Sequence, residues 1–223
     1  MKKKLLIVGG IVVVLGIVGV IILNSMWGEY ESKLEKSEIE VKDSVETASI
    51  PSFNELSGTY AVDAAESDNA ELLFHLDGLK NTKGAFEKFT ASLVVENSVE
   101  SAISEVVIDA ASINTGNSMR DEHLRTEEGF FLVDQYPEIL FSSNNITWKD
   151  GIYTANGELT LMAETKALNF DFKHIGGGEN KSGQAFEAFE GEFMFDRTEY
   201  GMPEESGVGN EVTMSFYLEL VKK

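Results

Sequence analysis

The chain has 223 residues and carries 38 acidic against 18 basic side chains, which gives it a formal net charge of −20. Its length suits one ordinary domain with an additional segment, and its hydrophobic content of 43% excludes a chain that is disordered throughout. The complete absence of cysteine excludes a disulfide scaffold, a thiolate metal site, a cysteine nucleophile and a lipid anchor attached to cysteine.

The N-terminus carries a long apolar segment. Three lysines at residues 2–4 directly precede 19 uninterrupted leucine, isoleucine, valine and glycine residues, 5–23. A helix of this length spans about 29 Å, close to the thickness of the hydrocarbon core of a bilayer. We therefore predict a cytoplasmic tail over 1–4 and a single-pass transmembrane signal anchor over 5–24. The alternative is a long signal peptide that is cleaved, and both interpretations place the remaining chain outside the cytoplasm, in a periplasm or at the cell surface.

Residues 25–55 form a segment rich in charged side chains, for which we predict a stalk or linker. Its apolar residues recur at spacings of 4, 7 and 4, as on one face of a helix: Tyr30, Leu34, Val41 and Val45. A solvated spacer and a self-associating helix are both compatible with so few heptads. Pro51 ends this segment, and we assign the folded domain to residues 56–223.

Beyond Gly58 apolar and polar residues alternate, which is typical of strands with one buried face. Clear examples are Leu72, Phe74 and Leu76, then Phe89, Ala91, Leu93 and Val95, and later Phe189, Gly191, Phe193 and Phe195. Short strands at this spacing, separated by turn residues, predict an antiparallel barrel or sandwich. Residues 117–128 instead predict a helix with Asn117 as its N-cap. The glycine cluster at 176–178 predicts a hairpin connection.

About eight strands can close into a barrel that is filled by side chains or holds one small ligand. The pattern of large inward residues favours neither possibility. If the barrel holds an apolar ligand, its pocket residues are predicted to be Phe74, Leu76, Phe89, Leu93, Ile108, Phe141, Leu161, Phe170, Phe172, Phe193, Phe195 and Phe216. Each of these residues is equally compatible with a plain barrel core.

Arg120, Asp121 and His123 form a polar cluster at the start of the predicted helix. They are candidates for contacting a ligand head group at the mouth of a pocket, or for an acid and a base in an enzyme acting on an envelope component. The structural alternative is that Arg120 and Asp121 fix the helix to neighbouring backbone. No metal site is predicted, because His75, His123 and His174 lack the spacing of metal ligands.

Three motifs closely resemble the central signature of the YceI-like family: residues 114–124, Phe130-Phe131 and residues 136–141. The resemblance covers about 160 residues, from Tyr60 to the C-terminus. It implies an all-β, lipocalin-like antiparallel barrel of about eight strands with one short helix, exported from the cytoplasm. It further implies an elongated apolar pocket that holds a polyisoprenoid or a similar lipid, with no catalysis and no cofactor other than this lipid.

Two positions depart from the pattern of that family. Glu66 stands where the family often has a histidine, and Met162-Ala163 stands where it often has a His-Gly pair. Any role of those histidines elsewhere is therefore not expected in this chain.

The sequence therefore favours a membrane-anchored, extracytoplasmic protein that holds or transports a long-chain isoprenoid or quinone-like lipid. The alternative is a non-enzymatic envelope interaction protein, with a filled barrel and an acidic face that binds a basic partner. Binding to nucleic acid is excluded, because residues 29–223 carry only 15 basic against 38 acidic side chains.

Overall fold

The structure is a computed structural model that describes residues 29–39, 56–65, 67–78, 81–96, 98, 101–128, 130–149 and 152–223. These ranges contain eleven strands, β1 (Gly58–Asp63), β2 (Ala70–Gly78), β3 (Thr82–Phe86), β4 (Phe89–Val95), β5 (Ile103–Asp109), β6 (Ile113–Asn114), β7 (Glu138–Lys149), β8 (Ile152–Leu161), β9 (Glu164–Glu179), β10 (Ala185–Asp196) and β11 (Val208–Lys222). All of the observed strand pairings are antiparallel.

Eight of the described strands close into a barrel in the order β1, β4, β5, β7, β8, β9, β10 and β11. The barrel closes because β1 also pairs with the C-terminal end of β11, with Tyr60 opposite Lys222. The preceding part of β11 pairs with β2, and the sheet continues from there through β3 to β6. The predicted all-β antiparallel barrel is therefore confirmed.

The inner face of the barrel carries the apolar residues of the alternating pattern. In β4, Phe89, Ala91, Leu93 and Val95 are buried, whereas Thr90 between them is exposed. Successive side chains of a strand point to opposite faces, so this alternation assigns one face of β4 to the interior. The same rule orients the other strands and produces one continuous apolar interior.

The single α-helix in the described ranges, α1 (Ser118–Thr126), confirms the helical prediction. The side chain of Asn117 accepts hydrogen bonds from the backbone N–H groups of Met119 and Arg120, at 3.1 Å each. These bonds satisfy donors that would otherwise lack partners in the first turn, which is the function of an N-cap. The helix ends at Thr126, two residues earlier than predicted.

The prediction of a hairpin connection at the glycine cluster is wrong. Gly176 and the two glycines after it lie inside β9, and the chain turns later, at residues 181–183. Gly176 has a φ of 129°, a conformation that other residues rarely adopt, and the pairing with β10 shifts register opposite this point, between Ala188 and Phe189. Ile175, which has no partner on β10, therefore forms a β-bulge with Gly176, and the glycines do not form a turn.

Residues 29–39, here called the strap, form neither a helix nor a strand and lie on the outer surface of the barrel. Lys33 forms an ion pair with Glu87 at 2.6 Å, and the backbone N–H of Glu35 donates to the carbonyl oxygen of Asp68 at 2.8 Å. The predicted helical face is therefore wrong at Tyr30 and Leu34. The other two members of that face, Val41 and Val45, lie outside the described residues, as does the rest of the predicted stalk.

The strap buries an apolar cluster on the outside of the barrel. Leu34 and Ile39 pack against Phe186, Ala188 and Tyr217. Burial, followed by a hydrogen bond to Glu219, raises the pKa of the Tyr217 hydroxyl. At the other end of the strap, burial and the nearby carboxylates of Glu71 and Glu87 raise the pKa of Tyr30 to about 12. The strap is thus a packed part of the domain.

A buried carboxylate joins the strap to β11. Glu219 is only 2% exposed, and its Oε1 accepts hydrogen bonds from the backbone N–H of Ser37 at 2.7 Å and from the Tyr217 hydroxyl at 2.9 Å. Its Oε2 has no hydrogen-bond partner within the described ranges. Because leaving a buried carboxylate without donors is costly, the hydrogen bond from Ser37 favours the docked position of the strap.

The predicted cytoplasmic tail and transmembrane anchor lie outside the described residues. Within the ranges that the structure does describe, no helix combines the length and hydropathy needed to cross a bilayer.

Candidate functional site

The barrel encloses a cavity of about 1260 Å³. This volume exceeds the range of about 300–1,000 Å³ that is typical of sites for small ligands. All twelve of the predicted pocket residues line it: Phe74, Leu76, Phe89, Leu93, Ile108, Phe141, Leu161, Phe170, Phe172, Phe193, Phe195 and Phe216. The interior is therefore a cavity rather than a filled core, and the binding of a ligand by these residues remains a prediction.

Phe170 lies at the centre of an aromatic cluster in the cavity wall. Its ring stacks on Phe193 at 4.7 Å between centroids and contacts Phe141 at 5.0 Å and Phe216 at 5.8 Å. These residues come from β7, β9, β10 and β11, so the cluster joins four strands. Aromatic pairs of this kind contribute about 0.5–1.5 kcal/mol each beyond the area they bury, which keeps the wall in place around an open space.

Glycines make room for several of these rings. A Cβ atom at Gly191 would lie 2.7 Å from the ring of Phe216, directly opposite it on β11. A Cβ atom at Gly84 would likewise lie 2.6 Å from the ring of Phe74, its partner on β2. Glycine in a strand often marks such a close approach. A glycine opposite an aromatic residue would predict such a close approach. This signal can be recognised only when the strand register is known.

Polar lining residues gather at the end of the barrel where α1 and the β2–β3 and β10–β11 connections lie, here called the mouth. Their positions are Glu29, Asn81, Thr82, Lys83, Asn117, Arg120, His123, Arg197 and Glu205, with Ser92 and Ser104 also contributing to the wall. Met119 lines the cavity at this end and is 62% exposed to solvent. The cavity therefore combines an apolar interior with a polar rim.

Two of the three predicted mouth residues, Arg120 and His123, line the cavity. The Arg120 guanidinium is oriented by Thr115, because its Nε donates to Thr115 Oγ1 at 2.8 Å and its Nη2 donates to the Thr115 carbonyl oxygen at 3.0 Å. His123 forms a contact with Glu127 one turn later in α1. Both side chains lie beside the opening of the cavity.

Asp121 corrects the third mouth assignment. It is 6% exposed and lies outside the cavity wall, where its Oδ1 accepts hydrogen bonds from Thr115 N at 2.8 Å and Thr115 Oγ1 at 2.6 Å. Asp121 and Arg120 thus hold the same threonine from two sides. The structural alternative given by the sequence applies to Asp121, which fixes the start of α1 to the preceding turn.

Replacing Asp121 with alanine is expected to lower the free energy of unfolding by about 2–4 kcal/mol, because a buried charged acceptor is removed from two donors. Urea unfolding of residues 29–223 measures this change. Glu122→Ala is the matched control, since Glu122 is the next residue of α1 and is exposed. Equal stability of the two variants would contradict the anchoring role of Asp121.

A second polar pair lies at the far end of the barrel interior, and the sequence analysis missed it. His174 Nε2 lies 2.7 Å from Glu187 Oε2, and the imidazole packs against Phe189 at 5.1 Å. His174 Nδ1 is buried and has no hydrogen-bond partner in the described part of the structure. The contact between His174 and Glu187 could be predicted only from the register of β9 against β10.

Glu29 also lines the cavity and was not predicted from the sequence, because it belongs to the segment interpreted as a stalk. Gly116, just before α1, has a φ of 74°, and a Cβ atom there would overlap the carbonyl group of Glu29. The strap therefore begins at the mouth. No local feature of the sequence indicates this position.

Comparison with known proteins gives consistent results. Residues 60–220 match the YceI-like domain. A UPF0312 protein of Vibrio cholerae is 27% identical over 179 residues, which cover 78% of this chain and 93% of that protein. A UPF0312 protein of Pectobacterium carotovorum is 30% identical over 143 residues, which cover 63% of this chain and 73% of that protein.

Solved structures show the same fold. BcnA of Burkholderia cenocepacia aligns with a TM-score of 0.60 at 22% identity, over 73% of this chain and 99% of that one. The YceI protein of Campylobacter jejuni aligns with a TM-score of 0.57 at 22% identity, over 65% and 86%. A polyisoprenoid binding domain from Saccharophagus degradans aligns with a TM-score of 0.55 at 13% identity, over 75% and 99%.

The residues that match the family are the residues that form the barrel. The matched residues 60–220 run from β1 almost to the end of β11 and include α1 and the cavity wall. The motifs identified in the sequence lie around α1 and in β7, at the mouth and along that wall. The chain therefore belongs to the YceI-like domain family.

Proposed function

We propose that this protein holds a long-chain isoprenoid or quinone-like lipid in its barrel and carries it at the outer side of a membrane. The observation that carries this proposal is the cavity of about 1260 Å³, which has an apolar interior and a polar rim. Such a cavity matches a ligand with a long hydrocarbon chain and a polar end. The polyisoprenoid binding domain that shares this fold supports the same class of ligand.

Burial of the hydrocarbon chain supplies the binding free energy in this proposal. Each methylene group transferred from water to the apolar interior contributes about 0.8 kcal/mol in gross terms. The net affinity is smaller, because a large ligand gains only about 0.3 kcal/mol per heavy atom. A lipid of about 40 heavy atoms then reaches about 12 kcal/mol, equivalent to a nanomolar dissociation constant.

The mouth gives the lipid its direction in the barrel. Lys83 and Arg120 carry hydrogen-bond donors and positive charge at the rim, and His123 adds an imidazole beside them. A carbonyl, hydroxyl or phosphate head group gains partners there, whereas it would lose its hydration among the phenylalanine rings. The proposed ligand therefore enters with its chain first and keeps its head group at the mouth.

The proposed location follows from the sequence of residues 5–23. We assign these residues to a membrane anchor whose lysines remain in the cytoplasm, so that the barrel lies on the opposite side. A tether next to the bilayer suits a carrier whose ligand is almost insoluble in water. Transport then takes place between the membrane and the barrel, within the reach of the anchor.

The proposal assigns binding without catalysis. The acid and base considered for an enzyme, Asp121 and His123, have separate partners in Thr115 and Glu127. The other alternative, an interaction protein with a filled barrel, conflicts with the observed cavity. The acidic surface remains a candidate for additional contacts, and no feature of the site favours it as the main function.

Native mass spectrometry of residues 29–223, purified without detergent from a host that exports the protein, is expected to detect one bound apolar molecule of several hundred daltons. We expect this because an apolar ligand would displace water from the apolar cavity, which is favourable. Solvent extraction then identifies the class of lipid. A bare protein mass that persists after incubation with polyprenyl compounds and quinones would overturn the proposal.

A further inference from the structure

The strap connects the two ends of the barrel. Glu29 lies at the mouth, against Gly116 and α1, while Ile39 reaches the far end of the barrel, where it contacts Gly176 of β9. Between these points, Glu35 forms an ion pair at 2.6 Å with Lys181 in the β9–β10 turn. The strap therefore runs from the mouth down to the opposite end of the barrel.

The strap is held along its whole length rather than at one point. The ion pair of Lys33 with Glu87 lies near its start, the bond from Ser37 N to Glu219 lies near its end, and Lys36 packs over the ring of Tyr217 at 4.0 Å. These contacts fix the direction in which the chain enters the domain. The barrel is thereby fixed relative to Glu29 and does not turn freely on this part of the chain.

The segment between the apolar run and Glu29 is short. Six residue steps separate Leu23, the last residue of the run, from Glu29, and they span at most about 22 Å when fully extended. Trp148, next to the tip of the β7–β8 hairpin, lies at the other end of the barrel. It is ten residues from Glu138, or about 33 Å along the strand and about 25 Å along the barrel axis at a tilt of about 40°.

We propose that the mouth of the barrel faces the bilayer surface, and that the docked strap holds it there. This inference rests on the membrane anchor in the proposed function. The rim suits a phosphatidylcholine surface because it exposes Met119 and because it presents both cations, Lys83 and Arg120, and carboxylates, Glu29 and Glu205, to a head group that carries both charges. A lipid then passes between bilayer and cavity without crossing bulk water.

The opposite end of the barrel offers a rival membrane surface. Trp148 is 54% exposed and Ile152 is 41% exposed, and both belong to the β7–β8 hairpin. Tryptophan is common at membrane interfaces, so exposure alone does not decide between the two ends. The direction of the strap favours the mouth as the membrane-facing end. Glu29, the first residue of the strap, lies at the mouth, and the β7–β8 hairpin lies at the far end.

The test uses the full chain in phosphatidylcholine vesicles and takes advantage of its lack of cysteine. A fluorescent label is attached to Met119→Cys at the mouth or to Trp148→Cys at the far end, both of which replace exposed apolar residues. We expect phosphatidylcholine that is spin-labelled on its head group to quench the label at position 119 at least twofold more than the label at position 148. Equal quenching, or stronger quenching at 148, would overturn the proposal.

Three further readouts separate this proposal from the function on which it rests. Release of the chain by an alkaline carbonate wash would overturn the anchor and the orientation together. Loss of bound lipid with unequal quenching preserved would remove the carrier function and support the orientation. Unlabelled Met119→Cys chains can also be tested for disulfide cross-linking to each other. Cross-linking of these chains, together with no quenching of the labelled protein, would show that the mouth contacts a second copy of the protein and would overturn the proposal.

A variant of the strap tests the cause of the orientation. In Leu34→Asp/Ile39→Asp the two apolar contacts of the strap with the outer cluster are replaced by carboxylates. We expect the difference in quenching between the two positions to disappear, while circular dichroism still shows a folded barrel. A difference that persists in this variant would overturn the role of the strap.

Discussion

Phe193→Asp is expected to reduce the lipid that copurifies with the protein by at least tenfold. Phe193 stacks on Phe170 at 4.7 Å in the wall of the cavity, so the aspartate would place a charge beside the buried hydrocarbon chain. Removing a carboxylate from water without a partner costs several kcal/mol, and each 1.4 kcal/mol corresponds to a factor of ten in affinity. Quantitative lipid extraction from equal amounts of purified protein measures the change.

Met194→Asp is the matched control for this variant. Met194 follows Phe193 on the same strand but points outward and is 60% exposed, so its carboxylate remains in water. We expect Met194→Asp to retain the lipid content of the unmodified protein. A folded Phe193→Asp protein that carries as much lipid as the control would show that the cavity is not the binding site.

Ile39→Asp is expected to lower the free energy of unfolding by about 3 kcal/mol, with a fall in Tm of about 6–12 °C. Ile39 packs on the cluster of Phe186, Ala188 and Tyr217, and burying an aliphatic side chain contributes about 1.5–3 kcal/mol. The new carboxylate also lies on the strap that covers the buried carboxylate of Glu219. Thermal and urea unfolding of residues 29–223 measure the effect.

Ser32→Asp serves as the control for the strap. Ser32 is exposed, and its Oγ accepts a hydrogen bond from Leu34 N at 3.2 Å, an acceptor function that aspartate retains. We expect this variant to lie within about 0.5 kcal/mol of the unmodified protein, as is usual for surface substitutions. If Ile39→Asp were as stable as Ser32→Asp, the strap would not be a structural part of the domain.

The wall of the cavity and the helix were predictable because their signals are local. A strand exposes alternate residues to opposite faces, so Phe89 and Leu93 could be assigned to the interior without knowing their neighbours. The cap of α1 depends on Asn117 and on the backbone N–H groups of Met119 and Arg120. The same local signals could not show whether the inward aromatic rings meet at the centre or line an open space.

Two predictions were wrong because they depended on contacts between distant parts of the chain: the turn at residues 176–178 and the position of Asp121 at the mouth. Residues 176–178 lie in a strand instead of a turn because they pair with β10 next to a shift in register, which a glycine count does not reveal. Asp121 is a structural residue because Thr115 turns back towards it, so its side chain is used before any ligand arrives. In both cases the outcome depends on which neighbour occupies the space around a residue.

Periodicity and motifs of a few residues were sufficient to predict the alternating strands, the capped helix, the family resemblance and the candidate lining residues. Three features became evident only in the folded protein: the open barrel, the position of its polar rim beside α1, and the docked strap at residues 29–39. The hydrogen bond from Ser37 to Glu219 joins residues 182 positions apart. Such contacts form only when the barrel closes, because closure of the sheet brings distant segments together, and no local pattern in the chain records them.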